Sequence, residues 1–189
     1  MFKEGLYFIA LIPNRDLRKR VMDVERDFEK RFNSSKALDV YPHFTLKAPF
    51  KCSAGGRIEL LNWFSELNLH QRPFLINLKG FGAFENKKSP VIFIKPVMSK
   101  ELLEMQRELM ISFQSLFPGD VHPVDVNFTP HLTVAYRDLA PDKFVQAWEE
   151  YKDKSFVDVF EVSAIYLLQH DTKKWNIIAT HNLDNVKTK

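Results

Sequence analysis

The chain has 189 residues, 45% of them hydrophobic and 17 of them phenylalanine, with a formal net charge of only +3. That is ample apolar material for one domain or two small lobes, and it excludes a disordered chain. The near balance of 27 basic against 24 acidic residues excludes a dedicated non-specific nucleic-acid binder but leaves room for a phosphate-bearing ligand.

A single cysteine, Cys52, allows neither an internal disulfide nor a cysteine metal cluster, which suits a reducing compartment. The first element is the apolar run Leu6–Ile12. It reads as a strand buried on both faces and is too short to span a membrane as a helix. No small-residue cleavage pattern accompanies it, so a soluble, cytoplasmic protein is expected. Pro13 and Asn14 end the run, and Leu17, Val21, Val24, Phe28 and Phe32 then recur at helical spacing.

Residues 39–50 read as a strand carrying His43-Phe44-Thr45, with Pro49 limiting its far end. After a loop at 53–56, Ile58, Leu61 and Phe64 mark a second helix. Residues 74–84 are strand-like, and Gly80 and Gly82 point to a bulge or a close backbone approach. A polar turn follows at 85–90.

The second half repeats this order. Val91–Ile94 is a strand, and Leu102, Met105, Leu109, Phe113 and Leu116 form a helical stripe that Pro118 and Gly119 stop. A strand carrying His131-Leu132-Thr133 comes next. Pro141 opens a helix with Phe144, Trp148 and Tyr151 on one face. Residues 156–168 and 175–179 form a closing hairpin about Asp171–Lys174, and 184–189 are a polar tail. The pairs Phe8/Phe93, Leu17/Leu102, Val24/Leu109 and Phe28/Phe113 share one offset of 85 residues, and the two histidines are offset by 88. An internal repeat is therefore expected, as two strand-helix-strand-helix-strand lobes, about 1–90 and 91–189, within a single domain spanning 1–189.

Within each copy, strand alternation puts His43 with Thr45 and His131 with Thr133 on one face, against Phe44, Leu46, Leu132 and Val134 on the other. Two imidazoles facing each other across a phosphodiester supply a base for the attacking oxygen and an acid for the departing one. Two threonine hydroxyls supply donors to the non-bridging oxygens, where charge accumulates. The scheme requires no metal or other cofactor, and neither motif carries a carboxylate or second histidine at ligand spacing. By the same alternation Lys47 joins the His43 face as a phosphate contact. Arg137 joins the His131 face on a regular strand, whereas a bulge turns it away. Tyr41, Phe128, Tyr7 and Phe84 are candidates for stacking on a base.

Pro42-His43-Phe44-Thr45-Leu46-Lys47 and Pro130-His131-Leu132-Thr133-Val134 make the chain resemble the 2H phosphoesterase superfamily, which includes 2′-5′ RNA ligase-like proteins and RNA 2′,3′-cyclic phosphodiesterases. The resemblance runs from the strand at Leu6 to the region of Leu183. It implies an α+β fold of two duplicated lobes about a pseudo-two-fold, with antiparallel sheets lining a central cleft and helices outside. It also implies that His43 and His131 are the catalytic pair and that Thr45 and Thr133 hold the phosphate. The implied ligands are RNA or nucleotides with a 2′,3′-cyclic phosphate or a 2′-5′ linkage, handled without metal. The family's basic residue after the second motif falls at Tyr136, with Arg137 next. A binding module without turnover, and end-joining through 2′-5′ bonds, are the competing readings. A monomer is the expected state.

Overall fold

The structure is a computed structural model in which residues 4–183 are described; the polar tail at 184–189 lies outside them. The strands are β1 (Gly5–Leu11), β2 (Phe44–Cys52), β3 (Phe74–Phe84), β4 (Val91–Pro96), β5 (Leu132–Ala135), β6 (Val157–Val162), β7 (Ala164–His170) and β8 (Trp175–Asn182). The helices are α1 (Arg15–Phe32), α2 (Arg57–Ser65), α3 (Lys100–Leu116), α4 (Pro123–Val126) and α5 (Pro141–Tyr151). The fold is α+β, with every described strand pairing antiparallel.

The eight strands form one sheet in the order β6-β3-β4-β5-β2-β1-β7-β8. Its middle is the β2–β5 pair, where the two motif strands meet at Phe44 opposite Leu132. The halves of the sequence do not segregate to the two sides of that pair, because β3 from the first half sits between β4 and β6 of the second. The hairpin β7–β8 completes the other side against β1. The strands of the two sequence halves therefore interleave in one sheet.

The segment 156–168, read as one strand, breaks at Ser163. The part before it pairs with β3 and the part after it with β1. One residue spans less than about 8 Å of chain, so strands far apart in sheet order must meet at that end. The sheet is consequently curled, and its concave face forms a cleft.

β1 shows how the sequence builds both faces. Tyr7, Ile9 and Leu11 enter the main core beneath the helices, whereas Phe8 and Ala10 pack with Leu168 and Trp175 on the cleft side. Asn14 caps α1 by accepting from the Leu17 amide at 3.0 Å, and Asn33 ends it in the left-handed region. The apolar stripe of α1 is as expected at Leu17, Val21, Phe28 and Phe32, but Glu25 shares it. In α2 the buried residues are Leu60 and Phe64, and Ile58 is exposed, because the helix packs on β8 through a face turned from the expected one. Gly80, at φ 67°, lies where the β3–β4 register slips, the bulge expected of it. At Gly82 a Cβ would stand 2.6 Å from the Phe93 ring, so the close approach read at this glycine is also present.

Candidate active site

The β2–β5 register builds the site. Phe44 and Leu132 oppose each other and are fully buried, anchoring the two strands to the core. Continuing that antiparallel register by one residue each way places His43 opposite Thr133 and Thr45 opposite His131. On that continuation the two histidines are diagonal neighbours, within about 7–8 Å of each other. All four side chains are half-buried and line a single cavity of about 220 Å³. A pseudo-two-fold through the Phe44–Leu132 pair relates the two motifs.

The histidines are held alike. His43 Nδ1 lies 2.7 Å from the carbonyl of Tyr41, and His131 Nδ1 lies 2.7 Å from that of Thr129, two residues upstream in both cases. A carbonyl only accepts, so Nδ1 carries the proton in each neutral ring and Nε2 is left with a free lone pair. Phe8 packs on the His43 ring at 4.9 Å, and Phe84 and Phe93 pack on His131 at 5.0 and 5.4 Å.

Burial lowers the His43 pKa to about 4; the Tyr41 carbonyl opposes this and the neighbouring His131 reinforces it. Burial likewise lowers His131, with the Thr129 carbonyl opposing. Both imidazoles are therefore neutral at pH 7 in the free protein. Among the described residues no group of three or more His, Cys, Asp or Glu side chains is placed to hold a metal ion.

Lys47 is not in this cavity. Its side chain is fully buried in the core, with Nζ 3.1 Å from Asp125 Oδ2 and 2.8 Å from the Ala48 carbonyl, over the rings of Phe50 and Phe113. A bulge in β2 is the cause. Thr45 pairs with Ala10 and Lys47 with Ile9, so two steps along β2 match one along β1, and Lys47 turns to the core face that Ile9 occupies. The second motif has the same slip, since Thr133 pairs with Phe93 and Ala135 with Ile92. β5 ends there, and Arg137 adopts φ 59°, with its guanidinium 5.2 Å from the Tyr136 ring centroid. By this route Arg137 still reaches the wall of the cavity, as do Tyr136 and Tyr41. Phe128 lies outside it, in an adjoining apolar hollow that also touches Thr45 and His131. Tyr7 faces the core.

Phe8 and Trp175 escaped the sequence reading. Both line the cavity, edge to face at 4.5 Å, but their approach depends on the β1–β7–β8 pairing. A profile of the 2′-5′ RNA ligase superfamily matches residues 13–174. The chain belongs to the 2′-5′ RNA ligase superfamily.

As a superfamily member the chain is 25% identical over 176 residues to a protein of Bacillus cytotoxicus named as a candidate phosphoesterase, covering 93% of this chain and 95% of that one. Its fold is similar to Escherichia coli LigT complexed with 3′-AMP, with a TM-score of 0.69, 16% identity and coverage of 96% and 99% of the two chains. The protein TT0787 of Thermus thermophilus gives a TM-score of 0.67 at 18% identity, covering 94% and 97%. Among the described residues of this superfamily member no helix is long and apolar enough to cross a membrane.

One residue of the cavity wall lies outside both motifs. Glu25 of α1 lines the cavity, is 1% exposed, and its Oε2 has no partner among the described residues. Burial raises its pKa from 4.5 to about 8, against the pull of Arg26. A carboxyl raised on folding favours the folded state below its unfolded value and loses that contribution as pH rises through the folded value. The wild type therefore loses stability, on the order of 4 kcal/mol, between about pH 4.5 and 8 through this one group. Glu25→Gln removes the loss. Urea unfolding at pH 5 and pH 8.5 measures it, and an equal pH dependence in both proteins contradicts it.

Proposed function

We propose that this superfamily member is a metal-independent phosphodiesterase acting on a 2′,3′-cyclic phosphate or related nucleotide ester, with His43 and His131 as acid and base and Thr45 and Thr133 as donors to the non-bridging oxygens. The observation that carries the reading is that two imidazoles, each tethered through Nδ1 to a carbonyl two residues upstream, line one cavity together. One Nε2 takes a proton from water as it attacks phosphorus. The other, protonated, delivers its proton to the departing 3′ oxygen, leaving a 2′-phosphate and a free 3′ hydroxyl. Thr45 and Thr133 flank the same space and stabilise the charge that builds on the two remaining oxygens. LigT, similar in fold, is complexed with 3′-AMP, and a nucleotide carrying phosphate on the 3′ oxygen is what this cavity would retain as a product mimic.

The test is incubation of the purified protein with the four 2′,3′-cyclic nucleotides and identification of the product. Formation of nucleoside 2′-phosphates supports the reading. An unchanged substrate panel contradicts it and favours a binding module. Joining of cyclic-phosphate and 5′-hydroxyl ends would instead mark the reverse reaction in the same site.

The lowered histidine pKa values fix the shape of the pH dependence. The productive free enzyme carries one proton over the pair, and that form dominates only below the ordinary imidazole value of 6.5. The expected kcat/KM maximum lies below pH 6.5, with a fall of about tenfold per pH unit above the higher apparent pKa. A profile that is flat or rising from pH 6.5 to 8 contradicts the assignment.

A further inference from the structure

Beyond Trp175 the cavity opens into a second hollow. The two share Val40, Tyr136, Arg137 and Trp175 as a common wall, and the second adds Lys36, Asp39, Asp138, His170, Lys173 and Lys174. Its acidic groups are already committed. Asp39 pairs with Lys36 at 3.0 Å, and Asp138 accepts from the Ser34 and Ser35 hydroxyls and from the Ser35 and Lys36 amides. Asp171, at the base of the β7–β8 turn, accepts from the Lys173 and Lys174 amides and from Asn176. That turn holds the two lysines at the mouth of the hollow.

Arg137, Lys173 and Lys174 make no ion pair with any described residue. His170 Nδ1 accepts from the Thr172 amide, which leaves its Nε2–H as a further donor. Three cations without an ion-pair partner among the described residues, and a further donor, thus line a hollow that also carries Asp39 and Asp138 and shares Trp175 with the histidine cavity.

We propose that this hollow binds a phosphate on the 5′ side of the nucleotide whose 2′,3′-phosphate lies between His43 and His131. The ribose then bridges the shared wall, with Trp175 as a face on which its base can stack. The inference rests on the proposed function and sharpens its substrate class, from a cyclic mononucleotide to a nucleotide carrying a second phosphate. Two carriers have this chemistry, the internucleotide diester of an oligonucleotide end and a terminal 5′ monoester.

The test measures binding without turnover. Adenosine 3′-monophosphate, adenosine 3′,5′-bisphosphate and the dinucleotide ApAp are titrated calorimetrically into the wild type and into Lys173→Ala/Lys174→Ala at low salt. Both substitutions lie on an exposed turn, and thermal melting confirms that the variant is folded. At least one two-phosphate ligand is expected to bind about tenfold or more tightly than the monophosphate, a preference that shrinks with salt and falls to within about twofold in the variant. A gain with the dinucleotide assigns the hollow to an oligonucleotide end, and a gain confined to the bisphosphate assigns it to the 5′ monoester. Equal affinity of all three ligands for the wild type overturns the inference, and so does a preference that survives in the variant. Failure to hydrolyse a cyclic nucleotide bears on the proposed function alone, because these affinities do not depend on turnover.

Discussion

Alanine at His43 or at His131 lowers kcat/KM on a 2′,3′-cyclic nucleotide by about 10²–10⁴-fold, the usual worth of a positioned acid or base. The double variant is expected to lose little more than either single one, because in the proposed scheme acid and base act in one transition state and their effects do not add. Neither substitution should unfold the protein. Both rings sit half-buried on the cleft face, while Phe44 and Leu132 anchor the strands on the other. Steady-state assays beside thermal melts separate the two effects. Full activity in either single variant contradicts the paired scheme.

Asp125→Ala costs about 3–5 kcal/mol of folding stability, because it leaves the Lys47 ammonium buried without a counter-charge. Burial pushes the Lys47 pKa down and Asp125 opposes that shift, so the pair is held together inside the core. The carboxylate also accepts from the Ala48 and His122 amides. Gln106 reinforces the arrangement by donating to the Asp125 carbonyl at 2.8 Å. Lys47→Met is the milder change, since Asp125 keeps both backbone donors and methionine fills the space over Phe50 and Phe113. Urea unfolding of both variants measures the difference, and a loss below about 1 kcal/mol for Asp125→Ala contradicts the account. The pair ties the bulge after Thr45 to α4, whose chain continues directly to His131.

Strand parity read from the sequence puts His43 with Thr45 and His131 with Thr133, and the structure brings all four to the lining of one cavity beside the Phe44–Leu132 pair. The same parity misplaced Lys47, one step beyond a bulge. The β3 bulge was legible because glycine marks it at Gly80. The bulges after Thr45 and Thr133 fall in Leu46-Lys47 and Val134-Ala135, which have no compositional mark, and they follow from pairing with β1 and β4. Pro49 does not end β2; it sits at a second register slip, between the Lys47–Ile9 and Phe50–Tyr7 pairs, the kind of position where a strand tolerates proline. Trp175 and Phe8 were hidden for a related reason. Their meeting depends on β7 crossing from the β6 edge to β1 through Ser163, a long-range pairing without a local signal. Glu25 was hidden inside an otherwise regular apolar stripe.

The central claim is geometric: two imidazoles address one phosphate from opposite sides. A crystal structure of the protein with adenosine 3′-monophosphate tests it most directly. The account predicts the phosphate between the rings, with Nε2 of both His43 and His131 and the hydroxyls of Thr45 and Thr133 within hydrogen-bond distance of its oxygens. A phosphate bound elsewhere on the protein, or held by only one of the two histidines, would contradict it.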